Sequence, residues 1–161
     1  GFLQVVDAPF SFSRFPVLKF IDELLKKNQQ LTKEIEVQQR ENAKNIKLEL
    51  KTKITAINGI HFLGEILDLK MHSIKDILFQ LKEENSNFIG VIGNSEGDKC
   101  FLSLIVSDNL VAEKNLNASQ IIRQVSKHIE GGGGGQAFFA TSGGKRKEGL
   151  AAAIQEIKSL F

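Results

Sequence analysis

The sequence predicts an α/β protein in which a long N-terminal helical, coiled-coil-like arm precedes a small α/β globule with a mixed sheet. Three observations lead to this prediction. Apolar residues recur at helical spacing across residues 16–55. The spacing then changes to the alternation of a strand, and short apolar strands alternate with amphipathic helices to the end of the chain. The length of 161 residues fits one small domain plus an extended element.

Residues 1–14 combine an apolar patch with scattered phenylalanines and hold no helical or strand period. We interpret them as a connector from a missing upstream domain. The chain begins at Gly1 without an initiator methionine, so we expect it to be a fragment of a larger protein.

Residues 15–57 are predicted to form the helical arm, with Pro16 in the first turn, where its missing N–H costs nothing. One seam of the arm follows the alternating spacing of a heptad, which predicts self-association. Its central positions are Ile21, Leu24, Asn28, Leu31 and Ile35. The alternative is a hairpin of two shorter helices, with a break near Asn28 or Gln38.

Residues 58–161 are predicted to form the globule. An Asn58-Gly59 turn opens its first strand, and Ser73 is a plausible start for its first helix. Strands are predicted at 60–67, 88–92 and 100–106, with a turn at 94–98. A helix capped by Asn117 or Ser119 then runs into the glycines, and an amphipathic helix ends the chain.

Half of the fourteen glycines lie in Gly131 to Gly135, Gly143 and Gly144. A linker would have polar, unpatterned flanks, whereas an amphipathic helix precedes this run and the apolar residues 137–140 follow it. The flanks therefore favour a loop with exposed amides, placed at a buried edge, over a flexible tether.

The charge is unevenly distributed around the net value of +2. Residues 58–113 carry four Lys or Arg against nine Asp or Glu, whereas residues 114–161 carry seven against three. A basic segment beside exposed amides suits an anionic partner, although chance clustering on a solvated surface is an equal alternative.

Cations cluster on both sides of the glycines. Arg123 and Lys127 are four residues apart on the preceding helix and are predicted to share a face. Thr141-Ser142 is predicted to cap the last helix, which places residues 145–147 near its first turn, where cations are unfavourable unless an anion binds. The alternative is a helix that starts at Glu148, with the three cations in a loop.

The sequence offers no pattern for an active site. His61, His72 and His128 are not spaced to share a metal, and Cys100 lies in an apolar strand, where burial makes a thiol inert. The glycines follow a helix and do not open one, so they do not form a nucleotide-binding loop. With one cysteine, no secretory signal and no apolar run long enough for a bilayer, we expect a cytoplasmic protein without a membrane partner.

A helix ending in Ile129-Glu130, followed by the glycine run and by Gly143-Gly144-Lys145 before an Ala-rich helix, resembles the C-terminal domain of alanyl-tRNA synthetases. Residues 24–28 and 31–35 resemble the Leu-Leu-x-x-Asn-x-x-Leu-x-x-Glu-Ile helix that leads into that domain. The resemblance covers nearly the whole chain from about Phe15. The globule is also similar to the DHH-associated domain of DHH phosphoesterases.

The resemblance implies a non-catalytic appendage that binds alanine-specific tRNA, supports alanylation and editing, and aids dimerisation. The parent chain would be an ATP-dependent alanine–tRNA ligase, and its ATP and zinc sites would lie outside this fragment, which is expected to hold no cofactor. Many relatives place Arg-Pro or His after the glycines, whereas Gln136 is only a neutral hydrogen-bonding group. With the cations above, the candidate RNA-binding residues are Gly131, Gly132, Gly133, Gly134, Gly135, Gln136, Ser142, Gly143, Gly144, Lys145, Arg146, Lys147, Arg123 and Lys127.

Two other functions remain open from the sequence. The globule resembles the substrate-binding half of a DHH-type phosphoesterase, which would follow a catalytic domain rich in Asp and His. A purely structural dimerisation module is the third hypothesis, and it rests on the helical seam alone.

Overall fold

The structure is a computed structural model that describes the helical backbone from residue 2 and the side chains of residues 16–161. The chain divides into two compact units, residues 1–44 and 45–161. The connector predicted at residues 1–14 lies outside the residues whose side chains are described. None of the described helices is both long and apolar enough to cross a membrane.

One continuous helix, α1 (Phe2–Lys53), covers the predicted arm as far as Lys53, whereas residues 55–57, also assigned to the arm, form a strand. The hairpin alternative is wrong, because the helix passes through Asn28 and Gln38 without a break. The last turns of α1 belong to the second unit, where Leu50 is 1 % exposed. Lys47 and Lys51 pair there with Glu84 of the next helix, and their hydrogen bonds hold the pKa of that carboxyl below its usual range.

The second unit contains a six-stranded sheet with helices on both faces. The strands are β1 (Thr55–Ile57), β2 (Ile60–Ile66), β3 (Phe88–Glu96), β4 (Lys99–Val106), β5 (Gly132–Gly135) and β6 (Phe139–Gly144). The helices are α2 (Met71–Glu84), α3 (Asp108–Lys114), α4 (Ala118–Val125) and α5 (Gly149–Lys158), and a 3-10 helix (Ser126–Ile129) follows α4.

The strands are arranged in the order β1-β2-β3-β4-β6-β5. Only β2 and β3 are parallel, and the other neighbours are antiparallel, so the predicted mixed sheet is confirmed. A parallel pair needs a crossover connection, which α2 provides. Asn58 and Gly59 both have positive φ, and they form the two-residue turn of the hairpin between β1 and β2.

Alternate residues of the central strands face opposite helices. Ile89, Val91, Leu102 and Leu104 lie in one apolar cluster with buried residues of α4 and α5. On the other face, α2 buries Ile74, Ile77, Leu78 and Leu81, which is the apolar side predicted for it. The sheet is therefore the middle layer of three.

Several element boundaries differ from the predictions. Helix α2 begins at Met71, before Ser73, and its N-cap residue Lys70 makes no side-chain cap bond. Strand β3 continues through the predicted turn to Glu96, and the chain turns at residues 97–98. The cap of α4 is Asn117, whose Oδ1 accepts from the N–H groups of Ser119 and Gln120. Strand β1 and helix α3 are too short to give a periodic signal.

Candidate nucleic-acid interface

The glycine run forms an edge strand of the sheet, not the loop predicted from the sequence. Strand β5 pairs only with β6, in a register that joins Gly132 to Gly143 and Gly135 to Ala140. Residues 136–139 make a tight turn between the two strands, closed by the N–H of Gln136, which donates to the Phe139 carbonyl at 2.8 Å. The run of glycines therefore has a defined backbone conformation.

The outer side of β5 presents backbone groups without a neighbouring strand. In an antiparallel pair, residues that exchange hydrogen bonds alternate with residues whose N–H and C=O point away from the partner. Because Gln136 is hydrogen-bonded to Phe139, the register places Gly134 and Gly132 in hydrogen-bonded positions as well. The N–H groups of Gly133 and Gly135 consequently point toward the open edge. These amides therefore face away from the sheet, although the glycines form a strand and not the predicted loop.

The glycines of this hairpin have two different structural roles. A β-carbon added at Gly131, Gly133, Gly135 or Gly144 would collide with neighbouring backbone. At Gly133, for example, it would lie 2.6 Å from the Cα of Ser142. A β-carbon at Gly132 would meet nothing within 4 Å, and one at Gly134 would meet only ordinary contacts. Packing therefore requires some of these glycines but does not require Gly132 or Gly134.

Arg123 lies beside this strand. Its Nη2 atom would be 3.5 Å from a β-carbon at Gly134, which places the guanidinium along β5. Within residues 16–161 no carboxylate lies within ion-pair distance of Arg123. A guanidinium next to outward-pointing amides is suited to a phosphate, which it binds with two parallel hydrogen bonds.

Lys127 does not share this position, so the shared face predicted with Arg123 is wrong. The α-helix ends at Val125 and the chain continues as a 3-10 helix, in which residues four apart no longer stand above each other. The Nζ atom of Lys127 is 3.6 Å from Oε1 of Glu156 in α5. Hydrogen bonds from His128 and Gln124 hold the pKa of Glu156 below its usual range.

Lys145, Arg146 and Lys147 form a basic loop between β6 and α5, and all three are exposed. The backbone N–H groups of Lys145 and Arg146 donate to the Ile129 carbonyl at 2.9 and 3.0 Å, so the loop backbone is held in place. No ion pair to these three side chains occurs in the part of the chain with described side chains. Three unneutralised cations thus lie beyond the Gly144 end of the hairpin.

The predicted cap of the last helix is wrong. Thr141 and Ser142 are in strand β6, and α5 begins only at Gly149, with Glu148 as its N-cap residue. The alternative, a helix starting near Glu148 with the cations in a loop, matches the structure. Residues 145–147 therefore do not lie in the first turn of α5, and the helix does not favour an anion beside them. Only the exposure and the charge of these side chains favour anion binding.

Two other candidate residues differ in accessibility. Gln136 is exposed in the turn after β5. Ser142 is 3 % exposed, pairs with Gly133 and leaves its Oγ without a hydrogen-bond partner. Ser142 therefore packs against the glycine strand. It is too buried to contact a ligand directly in this conformation.

The remaining titratable residues do not gather into a site. Cys100 is buried in β4, and desolvation raises the pKa of its thiol. Among the residues with described side chains, no three His, Cys, Asp or Glu lie close enough to hold a metal ion. The Nδ1 atom of His61 donates to the Ser86 carbonyl, and His128 contacts Glu156, so both histidines join neighbouring elements.

One cluster near the β5–β6 turn is not predicted from the sequence; it is formed by Phe79, Phe138 and Phe139 with Lys75 and Lys82. Its members come from α2 and from the turn, some sixty residues apart in sequence. The one local signal was an Ala-Phe pair at the centre of a tight turn, where polar residues and glycine are usual.

Comparisons with known proteins give consistent similarities. Residues 59–161 match the DHHA1 domain. The chain is 42 % identical over 159 residues to an alanine–tRNA ligase of Christiangramia forsetii, a match that covers 99 % of this chain and 18 % of that protein. It is 38 % identical over 135 residues to the alanine–tRNA ligase of Parabacteroides distasonis, covering 83 % and 15 % respectively.

Among solved structures, the C-Ala domain of Aquifex aeolicus alanyl-tRNA synthetase matches with a TM-score of 0.60 and 24 % identity. That match covers 66 % of this chain and 96 % of the Aquifex chain, and at this identity it establishes the fold alone. The chain spans less than a fifth of the curated relatives it matches. These similarities confirm the family resemblance predicted from the sequence.

Proposed function

The chain belongs to the DHHA1 domain family, and on that premise we propose that it is the C-terminal, non-catalytic part of an alanine–tRNA ligase that holds tRNA against the open edge of β5. The observation that carries the proposal is the absence of a side chain at Gly132. Packing does not require glycine at this position, yet glycine leaves the backbone of the exposed edge strand uncovered. A bare edge permits a phosphate backbone to approach closely.

The charges around β5 support an RNA partner. Arg123 lies along the strand, and Lys145, Arg146 and Lys147 extend beyond the Gly144 end, without ion pairs in the part of the chain with described side chains. Backbone N–H groups, guanidinium groups and ammonium groups are the donors that bind phosphate oxygens. Binding through these groups reads the shape and backbone of the RNA and carries no base sequence information.

In this proposal, the chemistry belongs to the rest of a longer enzyme. Alanine activation with ATP and the zinc-dependent editing step would take place in other domains, and this part would keep the tRNA within reach of both, in the cytoplasm. The relatives at 37–42 % identity are all named alanine–tRNA ligases, which favours this role over that of a DHH-type phosphoesterase. An upstream gene segment rich in Asp and His motifs would favour the phosphoesterase instead.

A filter-binding titration with alanine-specific tRNA across a salt series tests the proposal. We expect binding at low salt whose affinity falls steeply as salt rises, because each neutralised phosphate releases condensed counterions. With three to five phosphate contacts, the slope of log K against log salt should be about −3 to −4.5. The absence of binding at low salt, or binding that salt does not weaken, would contradict a phosphate-directed surface.

Self-association through α1 is a second part of the proposal. Ile21, Leu24, Leu31 and Ile35 of the seam are 45–53 % exposed. Isolated helices are rarely stable without packing of their apolar side, and a second copy supplies a matching seam. Asn28 lies on the same seam, where a polar residue fixes register at some cost in stability.

Sedimentation of the chain tests this association. We expect a dimer at micromolar concentration and a monomer when Leu24→Gln and Leu31→Gln are combined, because the seam loses its central apolar contacts. Leu18→Gln with Leu25→Gln is the matched control, since both leucines are similarly exposed on α1 but lie off the seam. A monomeric wild type, or equal loss in both double variants, would refute pairing through this seam.

A further inference from the structure

An aromatic cluster with two lysines lies at the turn that follows the glycine strand. The ring of Phe79 is 6.3 Å from that of Phe138, edge to face, and 5.3 Å from that of Phe139. All three side chains are only half-buried. We call these rings, with Lys75 and Lys82, the turn cluster.

Both lysines of the turn cluster lie over aromatic faces. The Nζ atom of Lys75 is 5.7 Å from the centre of the Phe139 ring, and that of Lys82 is 5.1 Å from the centre of the Phe138 ring. Both ammonium groups are also 5.9 Å from the centre of Phe79. Cation–π attraction therefore holds two positive charges next to half-buried aromatic rings.

The backbone beneath these rings is firmly anchored. The carbonyl of Phe138 accepts from the N–H of Val106, and that of Ala137 accepts from the N–H of Ala118, both at 2.8 Å. The turn is thus tied to the end of β4 and to the start of α4. Its apolar Ala-Phe pair occupies positions that usually carry Asn, Asp or Gly, so turn geometry alone does not explain the phenylalanine.

The turn cluster and Arg123 approach the hairpin from opposite faces of the sheet. Phe139 pairs with Ile105, whose face is covered by α2, whereas Arg123 belongs to α4, which covers the other face. Gly135, at the end of the open edge, is opposite Ala140 and directly precedes the turn. A phosphate backbone that follows β5 would leave the strand at the turn cluster.

The local charges leave one cation of the turn cluster without a carboxylate. Lys82 pairs with Asp108, Nζ to Oδ2, at 2.9 Å. Lys75 has no ion-pair partner among residues 16–161, and the exposed Asp76 beside it in sequence is not within ion-pair distance. An ammonium group beside half-buried rings can neutralise a phosphate while an adjacent base packs on the accessible part of the aromatic surface.

We propose that the turn cluster is a second contact site for the same RNA, at which an unstacked or terminal base packs against Phe138 and Phe139 and the adjacent phosphate binds Lys75. The proposal rests on the tRNA-binding function proposed above and extends it beyond phosphate contacts. Stacking on an aromatic ring tolerates any base, so the site adds affinity and position without adding sequence specificity.

The test compares tRNA binding by the wild type, Lys75→Gln, Phe138→Leu and the control Lys158→Gln, each across a salt series. Lys75→Gln should weaken binding about fivefold and reduce the salt slope by about 1, because one phosphate contact is lost. Phe138→Leu should weaken binding about tenfold with an unchanged salt slope, because the ring is lost and the charge is not. Lys158, exposed in the last turn of α5, should be replaceable without effect.

The outcomes separate this proposal from the one on which it rests. If the wild type binds and both turn-cluster variants bind with its affinity and slope, the turn cluster is not a contact site and the glycine edge remains one. If the wild type does not bind, both proposals are refuted. Circular dichroism verifies the fold of each variant, and Lys75→Gln, which removes no buried group, decides the matter if Phe138→Leu unfolds.

Discussion

Reversing the charge of the basic loop, with Lys145→Glu, Arg146→Glu and Lys147→Glu combined, should weaken tRNA binding by about a hundredfold or more at 0.1 M salt. The three side chains are exposed, and they have no ion pairs within residues 16–161. Each phosphate contact that is lost removes one counterion-release contribution, and each new carboxylate repels the RNA. The salt slope should fall by about 3.

A matched variant separates this local effect from the change in net charge. Lys19→Glu, Lys33→Glu and Arg40→Glu change the charge by the same amount at exposed positions of α1. We expect this control to lower affinity far less than the loop variant, because it removes no cation that is proposed to contact a phosphate. Equal losses in the two triple variants would show that net charge, and not the basic loop, governs binding.

Gly144→Ala should lower the free energy of unfolding by about 3 kcal/mol, since the added methyl group has no space. Its β-carbon would lie 2.8 Å from Cγ1 of Ile129 and against the Ile129 carbonyl. That carbonyl also accepts from the N–H groups of Lys145 and Arg146, so it is not free to move away. The strand, the 3-10 helix and the basic loop would all be displaced.

Gly132→Ala is the control for this prediction. No atom lies within 4 Å of its added β-carbon, so the free energy of unfolding should stay within about 0.5 kcal/mol of the wild type. Urea denaturation followed by circular dichroism measures both variants, since the chain has no Trp or Tyr for fluorescence. Similar stability of the two variants would contradict the close approach of Gly144 to Ile129.

The parts of the fold that the sequence predicted are those with an apolar period. The buried side of α2 and the strand through Cys100 follow from the spacing of large apolar residues. The pairing of β5 with β6 does not, because five glycines carry no side-chain pattern and glycine disfavours strands. Close approach to β6 explains the glycines at 133 and 135 of that strand but not those at 132 and 134.

The candidate site was predictable as a set of residues but not as an arrangement. Arg123 precedes the glycines in the sequence, and the structure places it beside Gly134. The sequence predicts Lys127 on the same face, because the switch to a 3-10 helix at Ser126 leaves no mark in the sequence. Phe79 reaches the β5–β6 turn only through tertiary packing of α2, a contact that local patterns do not encode.

The most direct test of the central claim, that RNA docks on the open edge of β5, is the tRNA affinity of Gly132→Val. Valine suits an edge strand, and at this position its side chain would project into open space, so the variant should fold with wild-type stability. We expect at least a tenfold loss of affinity, because the branched side chain holds the phosphate backbone away from the amides. A folded variant that binds tRNA as tightly as the wild type would contradict docking at this edge.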